Sequence, residues 1–387
     1  MAQKRVIKLN NLNVVIIGGL HHNTLGVIRS LGETSHASVN MKVLLVGKGI
    51  HKRNIISESR YIKREDIGYV VSDEEIYDWL VEQAKDCVRR VIICCSDGSA
   101  EAVISHSHEL NKWYDTPKTN YSITELMSKE VQSRIATECG LCIPQSKLIS
   151  SNSNPNWTIF PCITKPEKSV QGKGKADIRI SVSKEELQNT LETTDAEYVQ
   201  VQEYISKKLE YQLIGCSLDA GKIIIIPGYT DIIRQPKNTN TGYLLFSPIQ
   251  NFQYNKSSID RFIKTIGYSG LFSIEFLRDG NGKDYFLEIN LRNDGNAYCV
   301  KTAGVNLPYI WSYYQTYKTV PECPMNVNSE VYFIPDFLDM KMGIHAVGLR
   351  KWIEQFLRAQ SHSLYNKKDM RPFYFELFRR IKAHLRK

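Results

Sequence analysis

The 387-residue sequence lacks long hydrophobic runs. Its purely aliphatic stretches, such as Val14–Ile17 and Ile223–Ile226, are strand-sized, far below the roughly 20 apolar residues of a membrane-spanning helix. Few apolar residues follow the basic segment Met1 to Asn10 before Gly18, which argues against a secretory signal, and a cytoplasmic protein is expected. Cysteines at metal-site spacing are missing as well. Cys139 and Cys142 make a lone CxxC with no second Cys or His pair, so the nine cysteines read as reduced thiols and not as zinc ligands. After Gly18-Gly19 the next glycine is Gly26, so the dinucleotide fingerprint GxGxxG is not met. There is no G-x-S-x-G elbow, no HExxH and no internal repeat of about 20 to 50 residues. These absences argue against a nicotinamide enzyme, a serine hydrolase, a zinc peptidase and a solenoid.

What is present is an ordinary globular composition, 42% hydrophobic and 24% charged, on a chain long enough for two or three modules around shared clefts. The net charge of +9 is concentrated at one end: residues 350–387 hold eleven Lys/Arg against Glu354, Asp369 and Glu376. Within that stretch Tyr374, Leu377, Phe378, Ile381 and Leu385 fall at helical spacing, with Arg379, Arg380, Lys382 and Arg386 mostly on the other faces. A basic amphipathic helix is expected, suited either to an anionic membrane surface or to packing on the body with a solvated basic face. No nucleic-acid module is recognisable, and no nucleic-acid partner is expected.

Along the chain, Val14-Val-Ile-Ile-Gly-Gly, Lys42-Val-Leu-Leu-Val-Gly and Arg90-Val-Ile-Ile-Cys-Cys read as buried strands, with helix-like segments at Asn23–Leu31 and Asp73–Asp86. Residues 1–118 are thus a small parallel-sheet domain. A helix is expected over Tyr121–Gly140, entered through Ser122. Strands then dominate, ending in Leu271-Phe-Ser-Ile-Glu-Phe-Leu and Tyr285-Phe-Leu-Glu-Ile-Asn, joined through Asp279-Gly-Asn-Gly, a hairpin signal.

That hairpin carries the chemistry. Glu275 and Glu288 lie in facing strands, and Asn290, two residues beyond Glu288, shares its face. Two carboxylates and an amide oxygen are hard ligands appropriate to Mg²⁺, with Mn²⁺ as an alternative, the ion being shared with substrate phosphates. The surrounding strands are apolar, where unpaired carboxylates are costly, which favours metal over two solvated glutamates. Arg292, a further two residues on, points to the same cleft, either to stabilise charge on a transferring group or to pair with a metal-site glutamate.

Glu in a strand, a turn, and a second strand reading Glu-x-Asn resembles the mark of the ATP-grasp superfamily, and the likeness spans roughly residues 120–310. Within it, Leu287-Glu-Ile-Asn-Leu-Arg-Asn-Asp-Gly-Asn and Ala303-Gly-Val-Asn-Leu-Pro most resemble carboxylate-amine ligases of the D-aspartate ligase type, with the large chain of carbamoyl-phosphate synthetase and biotin carboxylase more distant. The resemblance implies an α/β (α+β lobes) protein: an N-terminal Rossmann-like parallel-sheet domain (1–118), a first ATP-grasp lobe (119–200), a second lobe with the metal site (201–325) and a basic helical C-terminal extension (326–387). It implies that Lys129 and Lys165 reach nucleotide phosphates, and that Gln171, Gly172 and Lys173 belong to the loop folding over the triphosphate. By the same likeness Gln202, Glu203, Tyr204 and Ile205 form the interlobe linker that meets adenine, and Glu210 accepts from the ribose. Lys165 and Arg292 are the catalytic candidates. Asn293, Asn296 and Arg234 are weaker substrate candidates, Arg234 for a carboxylate. The implied activity is ATP- and Mg²⁺-dependent amide formation through an acyl phosphate, from an amino acid such as aspartate to a cell-envelope or polysaccharide precursor, with a homodimer as a family-level expectation. The alternatives are a carbamoyl-phosphate- or carboxylase-like enzyme that phosphorylates bicarbonate, and a non-catalytic ATP-binding protein.

Overall fold

The computed structural model describes residues 10–166, 178–235 and 241–385. Strands β1 (Asn10–Gly18), β2 (Ala37–Val46), β3 (Ile67–Val70), β4 (Arg90–Cys94) and β5 (Tyr114–Asp115) form a parallel sheet in the order β3-β2-β1-β4-β5. Parallel sheets are covered on both faces, and the unbroken apolar run Val14–Ile17 is accordingly fully buried. The order reverses between β1 and β4, which leaves a crevice at their carboxyl ends, the usual place for a ligand in such sheets.

The second sheet is antiparallel: β6 (Ser146–Ser150), β7 (Cys162–Pro166), β8 (Arg179–Ser181) and β9 (Tyr198–Glu203), ordered β6-β9-β7-β8. Alternation sorts its two faces. Ile149, Cys162, Val199 and Val201 pack under Leu187 and Leu191 of the Lys184–Glu192 helix and close a core of their own. The register puts Leu148, Ile163, Lys165, Ile180, Gln200 and Gln202 on the other face.

The third sheet has eight strands: β10 (Lys207–Leu218), β11 (Ile223–Ile225), β12 (Gly228–Arg234), β13 (Tyr243–Pro248), β14 (Gly270–Asp279), β15 (Asp284–Asn290), β16 (Val331–Ile334) and β17 (Ser361–His362). Its order is β15-β14-β10-β12-β13-β16-β17, with β11 beside β10. The β14–β15 hairpin forms as the turn residues predict: Asp279 Oδ1 accepts from the backbone N–H of Asn281 and Lys283, and Gly282 takes φ +83°.

Two expectations need correction. The helix read over Tyr121–Gly140 is two helices, Ile123–Leu126 and Lys129–Glu138, and Ser122 makes no side-chain cap. The break is stabilised by Gln132, whose Nε2 donates to the Leu126 carbonyl at 2.7 Å and to the Ile289 carbonyl at 3.1 Å, tying the second helix to β15. The segment after 325 is not an appendage, because β16 and β17 extend the eight-stranded sheet past that boundary.

A buried ion pair locks that segment down. Arg29 and Asp369 are fully enclosed, with Arg29 Nε 3.0 Å from Asp369 Oδ2 and Arg29 Nη2 donating to the carbonyls of Leu364 and Asp369. Asp369 also accepts from Ser59 Oγ and from the Arg60 N–H, both at 2.8 Å. Removing one member strands the other charge without water, so Arg29→Ala is expected to destabilise the protein by about 3–5 kcal/mol, read from urea unfolding. A surface arginine replaced in the same way, such as Arg350, is expected to shift stability by less than about 0.5 kcal/mol.

Candidate active site

The site is assembled on one face of β10, β14 and β15. Gln212, Glu275 and Glu288 stand opposite one another in three neighbouring strands, and Ser273 stands opposite Asn290. Glu275 is only 7% exposed, and the sheet supplies donors to it: Gln212 Nε2 at 3.2 Å and Asn290 Nδ2 at 3.1 Å, both to Oε1. Glu288 is held by Lys129 Nζ at 2.7 Å, so the lysine that opens the Lys129–Glu138 helix reaches across to β15. Lys165, on the face of the small sheet opposite its core, donates to Gln202 Oε1 at 2.8 Å. Burial, with the positive charge of Lys129 adding to it, lowers the Lys165 ammonium to about 8.

Arg292 forms its close ion pair with Asp97, and not with Glu275 or Glu288. Its Nε donates to Asp97 Oδ1 at 2.7 Å and its Nη2 to Asn290 Oδ1 at 3.2 Å. Burial disfavours the Arg292 charge, but Asp97 and Asp294 outweigh it and keep the guanidinium protonated. Asp97 begins the Asp97–Ser105 helix after β4, so the guanidinium bridges the parallel-sheet crevice and the carboxylate face.

The loop after Arg292 is stitched into that crevice. Asn293 N–H donates to the Cys94 carbonyl at 2.9 Å, and the Asn23 amide bonds the carbonyls of Cys95 and Asn293. Asn293 and Asn296 were candidates for substrate contact, yet they are 4% and 1% exposed. Asn293 Nδ2 donates to Asn23 and Asn296 Nδ2 to Gln212 Oε1 at 2.8 Å, so they hold the loop. Arg234 is likewise committed elsewhere. It makes a bidentate pair with buried Asp339, at 2.9 and 2.7 Å, and donates to Gln355, which ties β12 to the C-terminal helices and removes it from the substrate role.

Of the linker residues, the Glu203 N–H donates to the Gln145 carbonyl while its carboxylate accepts from the Gln145 N–H, the Tyr204 N–H donates to the Pro161 carbonyl, and Ile205 is buried. Glu210 is engaged by Lys207 and by Gln235 Nε2. Gln171, Gly172 and Lys173 lie outside the described residues.

Sequence reasoning missed Gln212 and Asp97, whose partners lie 63 and 195 residues away. It also missed the apolar patch of Leu148, Ile163 and Ile180 beside Lys165, which alternation in β6, β7 and β8 would have exposed. A histidine pair lies at the first βα turn: His21 accepts from the Asn23 N–H, and the His22 ring packs against it with centroids 3.9 Å apart and planes tilted by 41°. Burial pushes the His22 imidazolium well below its usual range, so that ring is neutral.

Among the described residues no cluster of three or more His, Cys, Asp or Glu side chains would hold a metal unaided. Two opposed carboxylates are hard donors for a dication that completes its shell with phosphate oxygens and water, and they fit Mg²⁺ in that shared mode; the Asn290 amide, whose NH₂ faces Glu275 and whose oxygen accepts from Arg292, would have to turn over to add its oxygen.

No family model matches the chain. A D-aspartate ligase of Enterococcus faecium (strain Aus0004) is 26% identical over 244 residues, covering 56% of this chain and 56% of that protein; the chain thus matches about half the length of this curated relative. Among solved structures, the ADP complex of an N5-carboxyaminoimidazole ribonucleotide synthetase superposes with a TM-score of 0.63 at 12% identity, over 87% of this chain and 85% of that one. The biotin carboxylase domain of the Hydrogenobacter thermophilus 2-oxoglutarate carboxylase, crystallised with MgADP and bicarbonate, gives 0.59 at 18% identity over 84% and 74%. An L-amino acid ligase from Bacillus licheniformis gives 0.53 at 13% identity over 80% and 75%. The three-sheet arrangement, with Glu275 and Glu288 facing across the hairpin, is the fold of the ATP-grasp superfamily.

Proposed function

We propose that the protein is an ATP- and Mg²⁺-dependent carboxylate-amine ligase. The observation that carries this reading is the single polar face on which Gln212, Glu275, Glu288, Asn290 and Arg292 converge, with Lys129 and Lys165 brought to it from two other elements. Glu275, Glu288 and Asn290 would hold Mg²⁺, which when bound neutralises phosphate charge. Lys165 sits on the small lobe, where its ammonium meets the nucleotide phosphates, and Leu148, Ile163 and Ile180 offer the purine an apolar seat. Lys129 releases Glu288 and turns to the phosphates as the anion arrives.

The donor carboxylate attacks the γ-phosphorus, giving an acyl phosphate and ADP, and an amine then displaces phosphate to leave the amide. Arg292, oriented by Asp97, stabilises the negative charge that builds on the transferring phosphoryl and then on the tetrahedral carbon centre. Positioning and fixed charge supply the acceleration, and no nucleophilic side chain is required. The relative's name supports aspartate as the donor acid. A cell-envelope or polysaccharide precursor is the acceptor we favour.

Phosphate release from MgATP over a panel of amino acids and small carboxylates, with hydroxylamine to trap the acyl phosphate, tests this directly. Hydroxamate is expected with one acid, aspartate first, and Glu288→Gln is expected to lose at least about 100-fold. Hydroxamate from none of the acids, with MgATP still bound tightly, would leave the non-catalytic reading standing. ADP release that depends on bicarbonate would favour the carboxylase-like one.

Lys165 predicts a pH dependence. Its ammonium is lowered to about 8 in the free protein, and phosphate charge beside it raises that value, so nucleotide binding takes up a proton. Affinity for MgATP is therefore expected to be flat below pH 8. Above it, affinity falls by up to about tenfold per pH unit until the bound-state value is passed. Titration calorimetry across that range should show the slope in the wild type. Lys165→Gln should bind more weakly and lack it.

A further inference from the structure

The Leu349–Arg358 helix buries none of its residues. Trp352 and Phe356 lean on the cluster of Tyr243, Ile334 and Ala359. A second row, Leu349, Ile353 and Leu357, is exposed by 57, 43 and 76%. Spacing of four residues aligns these side chains along one side of the helix. A surface helix normally turns its apolar stripe to the core, and here only the aromatic half of the stripe does so.

The Arg371–Leu385 helix repeats the pattern. It buries Pro372 and Glu376, while Tyr374, Phe378, Ile381 and Leu385 stay exposed by 48, 66, 47 and 80%. Ring contacts join the two helices into one region: Phe356 to Tyr365 at 5.7 Å, Tyr365 to Phe373 at 5.6 Å, and Tyr374 to Phe378 at 6.5 Å. Two exposed apolar rows therefore border a continuous aromatic spine.

Charge selects what covers them. Residues 350–387 hold eleven Lys/Arg against three acids. Of those acids, Asp369 is buried on Arg29, Glu376 is taken up by Arg379 and Arg380, and Glu354 is exposed and paired with Arg350 at 3.3 Å. The outward side is apolar and carries a cationic excess, with Lys351 exposed beside the Leu349 row and Arg350 paired there with Glu354. A second copy would bring the same cations against it, a like-charge juxtaposition that costs several kcal/mol in general.

We propose that this surface, and not the last helix alone, seats the protein on an anionic lipid bilayer, the Leu349 and Phe378 rows entering the acyl boundary while the lysines and arginines meet lipid phosphates. The inference rests on the exposed faces and is independent of the ligase reading.

Deleting the region is not a clean test, because it carries Asp369 and β17. Point substitutions on the exposed row are. The full chain is sedimented with vesicles of phosphatidylcholine containing roughly 30% phosphatidylglycerol, and with phosphatidylcholine alone. Expected is partitioning onto the anionic vesicles only, weakened by salt, and at least about tenfold weaker for the triple variant Leu349→Gln, Ile353→Gln, Leu357→Gln, with unchanged circular dichroism. Should the triple variant fold poorly, the pair Leu357→Gln, Phe378→Gln decides in the same way. Wild-type protein that stays in solution, or variants that partition like wild type, would overturn the proposal. So would a lipid-free dimer that the same substitutions disperse, since a second copy would then cover the face.

Discussion

A carboxylate that is 93% enclosed in a sheet cannot stay charged unless the sheet hydrogen-bonds it, and much of the site follows from meeting that requirement at Glu275. Gln212 and Asn290 satisfy it from the strands on either side, but each then needs orienting. Asn296 fixes Gln212 by donating to its oxygen, and Arg292 fixes Asn290 in the same way. Because an amide has one accepting and one donating end, these contacts leave the NH₂ groups turned to the carboxylate. Arg292 in turn is held by Asp97, so a demand that begins in the third sheet ends at a helix N-terminus of the first.

That chain of contacts explains why the 291–296 loop is buried although it carries four polar side chains. Asn293 and Asn296 read as substrate contacts because they follow Arg292 in a polar turn. In the fold they serve instead as fasteners between the β1–β4 crevice and the carboxylate face. Gly295 belongs to the same constraint: a Cβ there would come within 3.2 Å of His22 Nε2 and 3.3 Å of Thr241 Oγ1, tighter than side chains normally pack. The crevice and the sheet thus approach closely enough to share one site.

The features legible in the sequence were those set by local pattern. Apolar runs announced the parallel sheet and the Asp279-Gly-Asn-Gly turn announced the hairpin, but it is a one-residue register shift between Glu275 and Phe276 that brings Glu275 opposite Glu288. Hidden features depended on partners far along the chain. Arg234 looked available because Asp339, 105 residues away, gives no sign in sequence that it will fill the guanidinium fork. The C-terminal segment showed its amphipathicity but not its anchoring: helical spacing cannot report that Asp369 meets Arg29 across 340 residues, nor which apolar row turns inward.

Core composition adds a mechanical consequence. The two large cores mix residues of the parallel and eight-stranded sheets, Ile16 with Phe246 in one and Ile17 with Phe272 in the other, so these sheets behave as one body. The small sheet shares neither; its core runs only from Ile149 to Val201. Elements with separate cores move relative to one another at lower cost than elements that interdigitate. Lys165 rides on the separate lobe, while Lys129 and Glu288 belong to the large body. The low Lys165 value reflects an ammonium with little solvent and another cation nearby, a repulsion between the two bodies that a polyphosphate would convert into attraction. The polyphosphate we propose for the site would therefore also draw the lobes together.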